Sequence, residues 1–309
     1  MWVADRTAVA LLDARGGPFG TKSFRDALVA ADPAWRDVSC GARAEDGTLA
    51  AVALLGRSHA AESVPPWGYG GVVASRALTS NETLSFLDLA WGQHQFRRLT
   101  VRTLGLPGFM GCGRQLATAS VVQIADGGAP AAARYARLAR RSLRRATAAG
   151  ATVESAASVD AFWNVYADAA AGGRRVVYPE GLIRQLVGAG VARVHVVRLG
   201  DRVVASLLTL ISDSHWMCWL AGQTSDGRSI AASYLAYDAL IREAEDAGVP
   251  AVNLGASVGR GAEFKRHLGA EDVEMFEWRR ESARARATRF AAGVASTLSR
   301  ARMTRPRAT

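Results

Sequence analysis

The groups able to do chemistry in this 309-residue chain are mostly cations. Lys265 stands in a short segment bounded by Gly261 and Gly269, just after an expected strand end. A compact ammonium there can stabilise negative charge developing on a reacting or departing oxygen, or grip a phosphate. Glu263, two residues earlier, is its candidate acid–base partner. The plainer alternative for Lys265 is a surface lysine on an amphipathic helix. Arg174 and Arg175 are adjacent guanidinium forks, suited to two-point binding of a diphosphate, with Tyr178 placed to hydrogen-bond alongside. An ion pair with Glu180 is the alternative for one of them. Trp67 and Tyr69 lie on the turn-rich loop Pro65-Pro66-Trp67-Gly68-Tyr69-Gly70-Gly71, expected to hang over a cleft, although core packing is the commoner fate of such rings. The histidines (His59, His94, His195, His215, His267) show no triad or ligand spacing, and none is assigned a catalytic role. Cys40, Cys112 and Cys218 are far apart and form no Cys-x-x-Cys pair, so neither a zinc site nor a disulfide framework is expected.

The formal charge is +10, and its placement matters more than its size. From Arg279 to the end, nine arginines and one acid, Glu281, give +8, which leaves +2 for residues 1–278. Within those, Arg134, Arg137, Arg140, Arg141, Arg144 and Arg145 form a second cluster without acids. On a helix, Arg134, Arg137, Arg141, Arg144 and Arg145 fall within about a 100° arc, with Tyr135, Ala136, Ala139, Leu143 and Ala146 opposite. Arginines at helical spacing repel one another, and a polyanion relieves that repulsion. A solvated outer face is the alternative. In the tail, Phe290, Val294 and Leu298 recur between arginines, a pattern suited to RNA or an anionic membrane surface. No run of 18 apolar residues predicts a membrane span, and Met1 to Leu12 lacks a signal-peptide pattern, so a cytoplasmic location is the expectation.

Positioning these groups requires a fold, and an approximate internal repeat supplies the outline. Arg43 to Leu55 and Val197 to Leu210 each read as strand, tight turn (Asp46-Gly47 or Gly200-Asp201) and apolar strand. Each is expected to be followed by an aromatic strand, then a helix, then another strand. The fold class is therefore α/β, with two tandem units of mixed, mostly antiparallel sheet and packed helices. The expected divisions are a first unit over 1–150, a second over 151–280 and a basic tail over 281–309, with a linking helix Ala131–Ala149. In the second unit, Asp160–Ala170 and Pro179–Val187 read as helices, Ser229 as a cap for a helix through Ala244, Ala262–Leu268 as a short helix, and Val273–Trp278 as the last strand.

Four stretches in this order resemble the Fem-like branch of the GNAT-type acyltransferases. They are Trp67-Gly68-Tyr69-Gly70-Gly71, the arginine helix ending at Gly150, Phe162 to Tyr178 with Arg174 and Arg175, and Gly259 to Ala270 with Phe264-Lys265 before a glycine. The resemblance covers roughly residues 35–278. It implies two GNAT-like units with a cleft between them. It also implies a donor that is an aminoacyl-tRNA in bridge-forming members or acyl-CoA in other relatives, and an acceptor amine on a cell-wall precursor or peptide-like metabolite. It places Lys265 at the cleft, Phe264 beside it, and the arginine helix against tRNA. No cofactor or metal is expected. The chain lacks the long heptad insertion of the large Fem proteins. An acyl-CoA enzyme would show a glycine-rich phosphate loop before its main helix. Ser225-Asp226-Gly227-Arg228-Ser229 retains only part of that pattern. Aminoacyl transfer from aminoacyl-tRNA is the leading reading, acyl-CoA-dependent N-acyl transfer the second, and noncatalytic RNA binding a remote third.

Overall fold

The structure is a computed structural model that describes residues 1–63, 69–94, 96–105, 113–124, 129–173, 177–257 and 260–284. Trp67, Arg174, Arg175 and the tail beyond Arg284 lie outside the described residues.

The chain opens with β1 (Trp2–Ala4), a 3₁₀ turn (Arg6–Ala10) and three helices, α1 (Leu11–Arg15), α2 (Gly17–Gly20) and α3 (Lys22–Ala31). Strands β2 (Arg36–Asp37), β3 (Cys40–Ala44), β4 (Leu49–Val52), β5 (Leu55–Arg57), β6 (Ala60–Glu62) and β7 (Val72–Ala74) follow. Then come α4 (Ser80–His94), β8 (Arg98–Leu104) and β9 (Arg114–Gln123). A 3₁₀ turn (Ala131–Arg134) and α5 (Arg137–Ala148) lead to β10 (Ala151–Ser155), α6 (Val159–Gly172) and α7 (Glu180–Gly188). The last stretch is β11 (Ala192–Leu199), β12 (Arg202–Leu210), β13 (Trp216–Gln223), α8 (Ser225–Ile230), α9 (Ala232–Asp246), β14 (Ala251–Ser257), α10 (Arg260–His267) and β15 (Glu271–Glu281).

Both expected hairpins form. Gly47 (φ +82°) turns β3 into β4, and Gly200 (φ +57°) turns β11 into β12, conformations that L side chains rarely adopt. After the first hairpin, β5 and β6 precede a strand–helix–strand run, β7–α4–β8, which is matched after the second hairpin by β13, α8, α9 and β14. The strands form one four-stranded sheet, β1-β3-β4-β7, and one eleven-stranded sheet, β10-β11-β12-β13-β14-β9-β15-β8-β6-β5-β2. The large sheet runs through both halves of the sequence. Next to its central strand β9 lies β15, which pairs antiparallel with β8 and β9 of the first half. Sequence proximity gives no hint of that exchange.

Two places in this sheet system part, and both matter below. Strands β13 and β14 run parallel and pair only at Trp216–Met217 with Val252–Asn253. On its other edge β14 pairs antiparallel with β9 along Ala251–Ser257. In the first half, Gly71 N–H donates to Arg102 O of β8 (2.9 Å), after which β7 and β8 belong to different sheets.

One core lies on each face of the second half. Phe162, Tyr166, Ile183, Leu208 and Met217 pack with Phe19, Phe24 and Leu55 of the first half. On the opposite face, Leu207, Cys218, Tyr237, Leu240 and Ile241 pack with Tyr135 and Ala139. The predicted Ala131–Ala149 helix is two pieces. Tyr135 and Ala136 are extended because the Tyr135 ring is buried and Ala136 N–H donates to His267 O (2.8 Å), a tertiary bond in place of a helical one. Arg134 therefore leaves the arginine face and donates to Gln123 O. Ser229 is not a cap: it lies inside α8, which Thr224 caps by accepting from Gly227 N–H. Among the described residues, no helix is long and apolar enough to cross a membrane.

Candidate active site

The loop before β7 delivers Tyr69 into the other half of the molecule. Its ring is buried, 8% exposed, in an edge contact with Phe19 at 5.6 Å between centroids. Its hydroxyl meets the Met217 sulfur (3.3 Å) and accepts from Asn253 Nδ2, at the only register where β13 and β14 pair. Asn253 is fixed in turn, because Gly255 N–H donates to its Oδ1 (2.7 Å). That bond settles which way the amide points, with the NH₂ toward Tyr69. Burial pushes the Tyr69 hydroxyl far above its ordinary pKa, so it keeps its proton and serves as a donor rather than a base.

Lys265 approaches the same parting from the face of Cys218, opposite that of Met217 and Tyr69, as the alternation along β13 requires. It is 7% exposed, and Nζ donates to Gly255 O (2.9 Å) and Ala256 O (2.7 Å). Those carbonyls belong to an irregularity in the pairing of β14 with β9 between Asn253 and Ala256. Gly255 sits there at φ +84°, and a Cβ would stand 3.0 Å from Cys218 O. Burial lowers the Lys265 pKa, and the nearby Cys218 and Asp272 oppose that shift. Lys265 thus pins the strand that holds Asn253.

The other expected site residues disperse. Glu263 is exposed on α10. Phe264 packs edge-on against Tyr234 (4.6 Å) and Tyr237 (5.2 Å), which makes it a core contact under α9. Tyr178 is half-buried and tilted on Trp219 at 4.6 Å, and its backbone N–H donates to Tyr166 Oη. Burial raises its hydroxyl pKa. Trp219 itself bulges out of the β12–β13 register, which jumps from Leu220 to Cys218, and meets Phe24 at 5.7 Å. Arg137, Arg141, Arg144 and Arg145 remain on one exposed face of α5, with Arg140 nearby, and none of the five has an ion-pair partner among the described residues. Sequence reasoning passed over Asn253, Trp219 and the N-terminal helices that carry Phe19 and Phe24. Thr21, which caps α3 by accepting from Phe24 N–H, was a usable signal for the last.

The glycine that suggested a phosphate loop serves another purpose. Gly227 is buried in α8, and a Cβ there would stand 2.1 Å from Val204 O. Its small size permits helix–strand packing, and Asp226 in the same turn pairs with Arg202 (2.7 Å). Among the described residues, no cluster of three or more His, Cys, Asp or Glu could hold a metal.

Residues 131–266 match the family described as acetyltransferase (GNAT) domain. This stretch is similar to a GNAT domain. That domain begins at the 3₁₀ turn before α5, so the arginine helix falls within the matched stretch, as does Lys265. Among solved structures, FemX is 11% identical, with a TM-score of 0.65, 90% of this chain and 97% of that chain covered. The C-terminal domain of a putative lysylphosphatidylglycerol synthetase from Agrobacterium fabrum is 14% identical, with a TM-score of 0.59 and coverage of 93% and 95%. A tandem GNAT protein from the clavulanic acid biosynthesis pathway is 13% identical, with a TM-score of 0.51 and coverage of 91% and 98%. At such identities the likeness is one of fold: a tandem GNAT architecture. No curated protein matches the sequence. The GNAT domain supports acyl transfer as the general activity.

Proposed function

We propose that this GNAT protein is an N-aminoacyltransferase that takes its acyl group from aminoacyl-tRNA. The observation that carries the reading is the Tyr69 hydroxyl and Asn253 amide, two buried neutral donors brought together from different halves where β13 leaves β14. Acyl transfer to an amine needs such donors. The neutral amine attacks the ester carbonyl carbon, the carbon–oxygen bond to the ribose breaks, and the ribose oxygen takes up a proton as the amine loses one. The intermediate carries an oxyanion, and preorganised donors away from water stabilise it strongly. Tyr69 and Asn253 take that role, Asn253 with its second amide hydrogen and Tyr69 by turning its hydroxyl from the weak acceptor Met217 Sδ to the oxyanion, and Lys265 is a positioning residue that holds the Gly255 bend beneath them.

Two features favour tRNA as donor. The segment that would cradle a CoA pyrophosphate is a packed helix with Gly227 against β12. The arginine face of α5 has uncompensated charge suited to a polyribonucleotide backbone. A structural neighbour named for a lysyl-bearing lipid product is consistent with an aminoacyl cargo. The acceptor is an amine of a cell-wall precursor or peptide-like metabolite. The tail and Arg174–Arg175 would add anion contacts to RNA, a diphosphate or a membrane surface.

The test is incubation of the full chain with a radiolabelled charged-tRNA pool and an amine panel, with and without ribonuclease, beside acyl-CoA donors. Ribonuclease-sensitive amide formation is the expected result. Transfer from acyl-CoA alone would replace the donor. RNA binding with no transfer from either donor would leave only a binding protein.

A further inference from the structure

A second feature lies outside the Tyr69–Asn253 pair. Between β7 and β8 opens a cavity of about 510 Å³, a size that encloses small molecules rather than polymers. Tyr69 forms one wall of it, so the cavity adjoins the candidate active site. Apolar surface comes from Val72, Leu78 and Leu104, and no carboxylate is among the described lining residues.

Its two ends differ chemically. At the rim, Arg15 is exposed, and one nitrogen, NH1, donates to Ala74 O (2.9 Å) and Ser75 O (3.2 Å). Carbonyls fix the guanidinium without neutralising it, and among the described residues no acid pairs with it. Arg76, the other lining arginine, is already paired with Asp46 (2.8 Å) and Glu82 (2.6 Å). The rim therefore presents one fixed, uncompensated cation.

The inner end presents His215. Its ring lies against Gly17, where even a Cβ would collide with it, and Nε2 is buried with no hydrogen-bond partner among the described residues. The proton on that ring can be traced. Ser212 Oγ donates to His215 O (2.7 Å), so its own proton is committed. Ser214 Oγ, 3.3 Å from Ser212 Oγ, then donates to it and accepts from His215 Nδ1 at 3.2 Å. With the hydrogen on Nδ1, Nε2 is a bare acceptor. Burial pushes this imidazole down to about 4, which keeps it neutral near pH 7. A buried bare acceptor calls for a donor.

We propose that this cavity binds a short aminocarboxylate, of amino-acid to dipeptide size, with its carboxylate on Arg15 and its ammonium on His215 Nε2, which a shift of the imidazole away from Gly17 exposes to the cavity. The binding site stands on the cavity alone. Its role as acceptor site rests on the transfer proposed above, with Tyr69 as the wall shared with the donor side. The ligand's carboxylate and ammonium set the recognition, and the apolar walls of the cavity accept its side chain.

The experiment is calorimetric titration of the full chain, without any donor, against α-amino acids, ω-amino acids and dipeptides, each beside its amide and its N-acetyl form. The expected result is that at least one aminocarboxylate binds and that amidation or acetylation each weakens it by roughly tenfold or more. Arg15→Met should abolish discrimination against the amide, and His215→Phe discrimination against the N-acetyl form. His215→Gln, with thermal melts, serves if the phenylalanine variant does not fold. Binding by no member of the panel overturns the proposal, as does an amide that binds as well as its acid or an unaltered preference in Arg15→Met. Because no transfer is measured, failure of the aminoacyl-tRNA reading leaves this result intact, and transfer that persists without panel binding sinks only the cavity assignment.

Discussion

The two partings of the sheet system differ in what occupies them. Between β13 and β14, Tyr69 arrives from one face and Lys265 from the other, and the space is closed by buried donors. Between β7 and β8, nothing is inserted, and a cavity of about 510 Å³ remains. Both halves carry a hairpin and a strand–helix–strand run, and they differ in what their loops and neighbouring helices insert. The loop of the first half plugs the second, while the second half returns only His215 to the wall of the first. The two partings are thereby asymmetric, and on the proposed reading one is a chemical side and the other a holding side.

The sharpest way to break this contrast is Tyr69→Phe. Loss of one oxyanion donor should lower turnover by ~10²–10³-fold with acceptor KM little changed. A wild-type rate would make Tyr69 a plug and nothing more. The next effect is on stability. His215 titrates near 4 when folded and at about 6.5 when unfolded, so the unfolded chain binds the extra proton between those values. Stability should be unaffected above pH 6.5 and fall by about 3 kcal/mol as pH drops to 4. His215→Phe should flatten that part of the profile in chemical-denaturation curves, and an unchanged profile would show His215 to be exposed to protons in the native state.

Lys265→Met should cost about 1–3 kcal/mol by leaving Gly255 O and Ala256 O without their donor, and should lower turnover through a displaced Asn253. Lys265→Arg should recover stability only in part, since a planar fork does not replace a compact ammonium. Full stability with lost turnover would return Lys265 to direct chemistry. The smallest effect tests the surface. Arg141→Glu with Arg144→Glu should raise donor KM roughly tenfold at low salt, less at high salt, with no change in melting temperature. Equal kinetics at every salt concentration would leave the α5 face a solvated one.

How much of this was legible in the sequence depended on the range of each interaction. The hairpins at Gly47 and Gly200 announced themselves because positive φ is a local demand. The arginine face of α5 followed from helical period, and failed only at Arg134, where a tertiary bond from Ala136 to His267 broke the helix. Lys265 was named from its segment, but its partners, the carbonyls of a bent strand, carry no side-chain signature. Tyr69 stood out on its glycine-rich loop, whereas Asn253, 184 residues away, was one polar residue in an apolar strand. His215 was set aside for want of ligand spacing, and only the packing of α2 against β13 shows that it faces a cavity. The exchange of β15 into the first half was invisible for the same reason, since its register is set by β8 and β9.

A comparison of steady-state constants tests most directly whether the two partings divide the labour. With donor saturating, acceptor KM and kcat are measured for wild type, Tyr69→Phe and Arg15→Met. Tyr69→Phe should lower kcat and spare acceptor KM, while Arg15→Met should raise acceptor KM by roughly tenfold and spare kcat. Both variants altering the same constant, or Arg15→Met leaving acceptor KM at the wild-type value, would contradict that division.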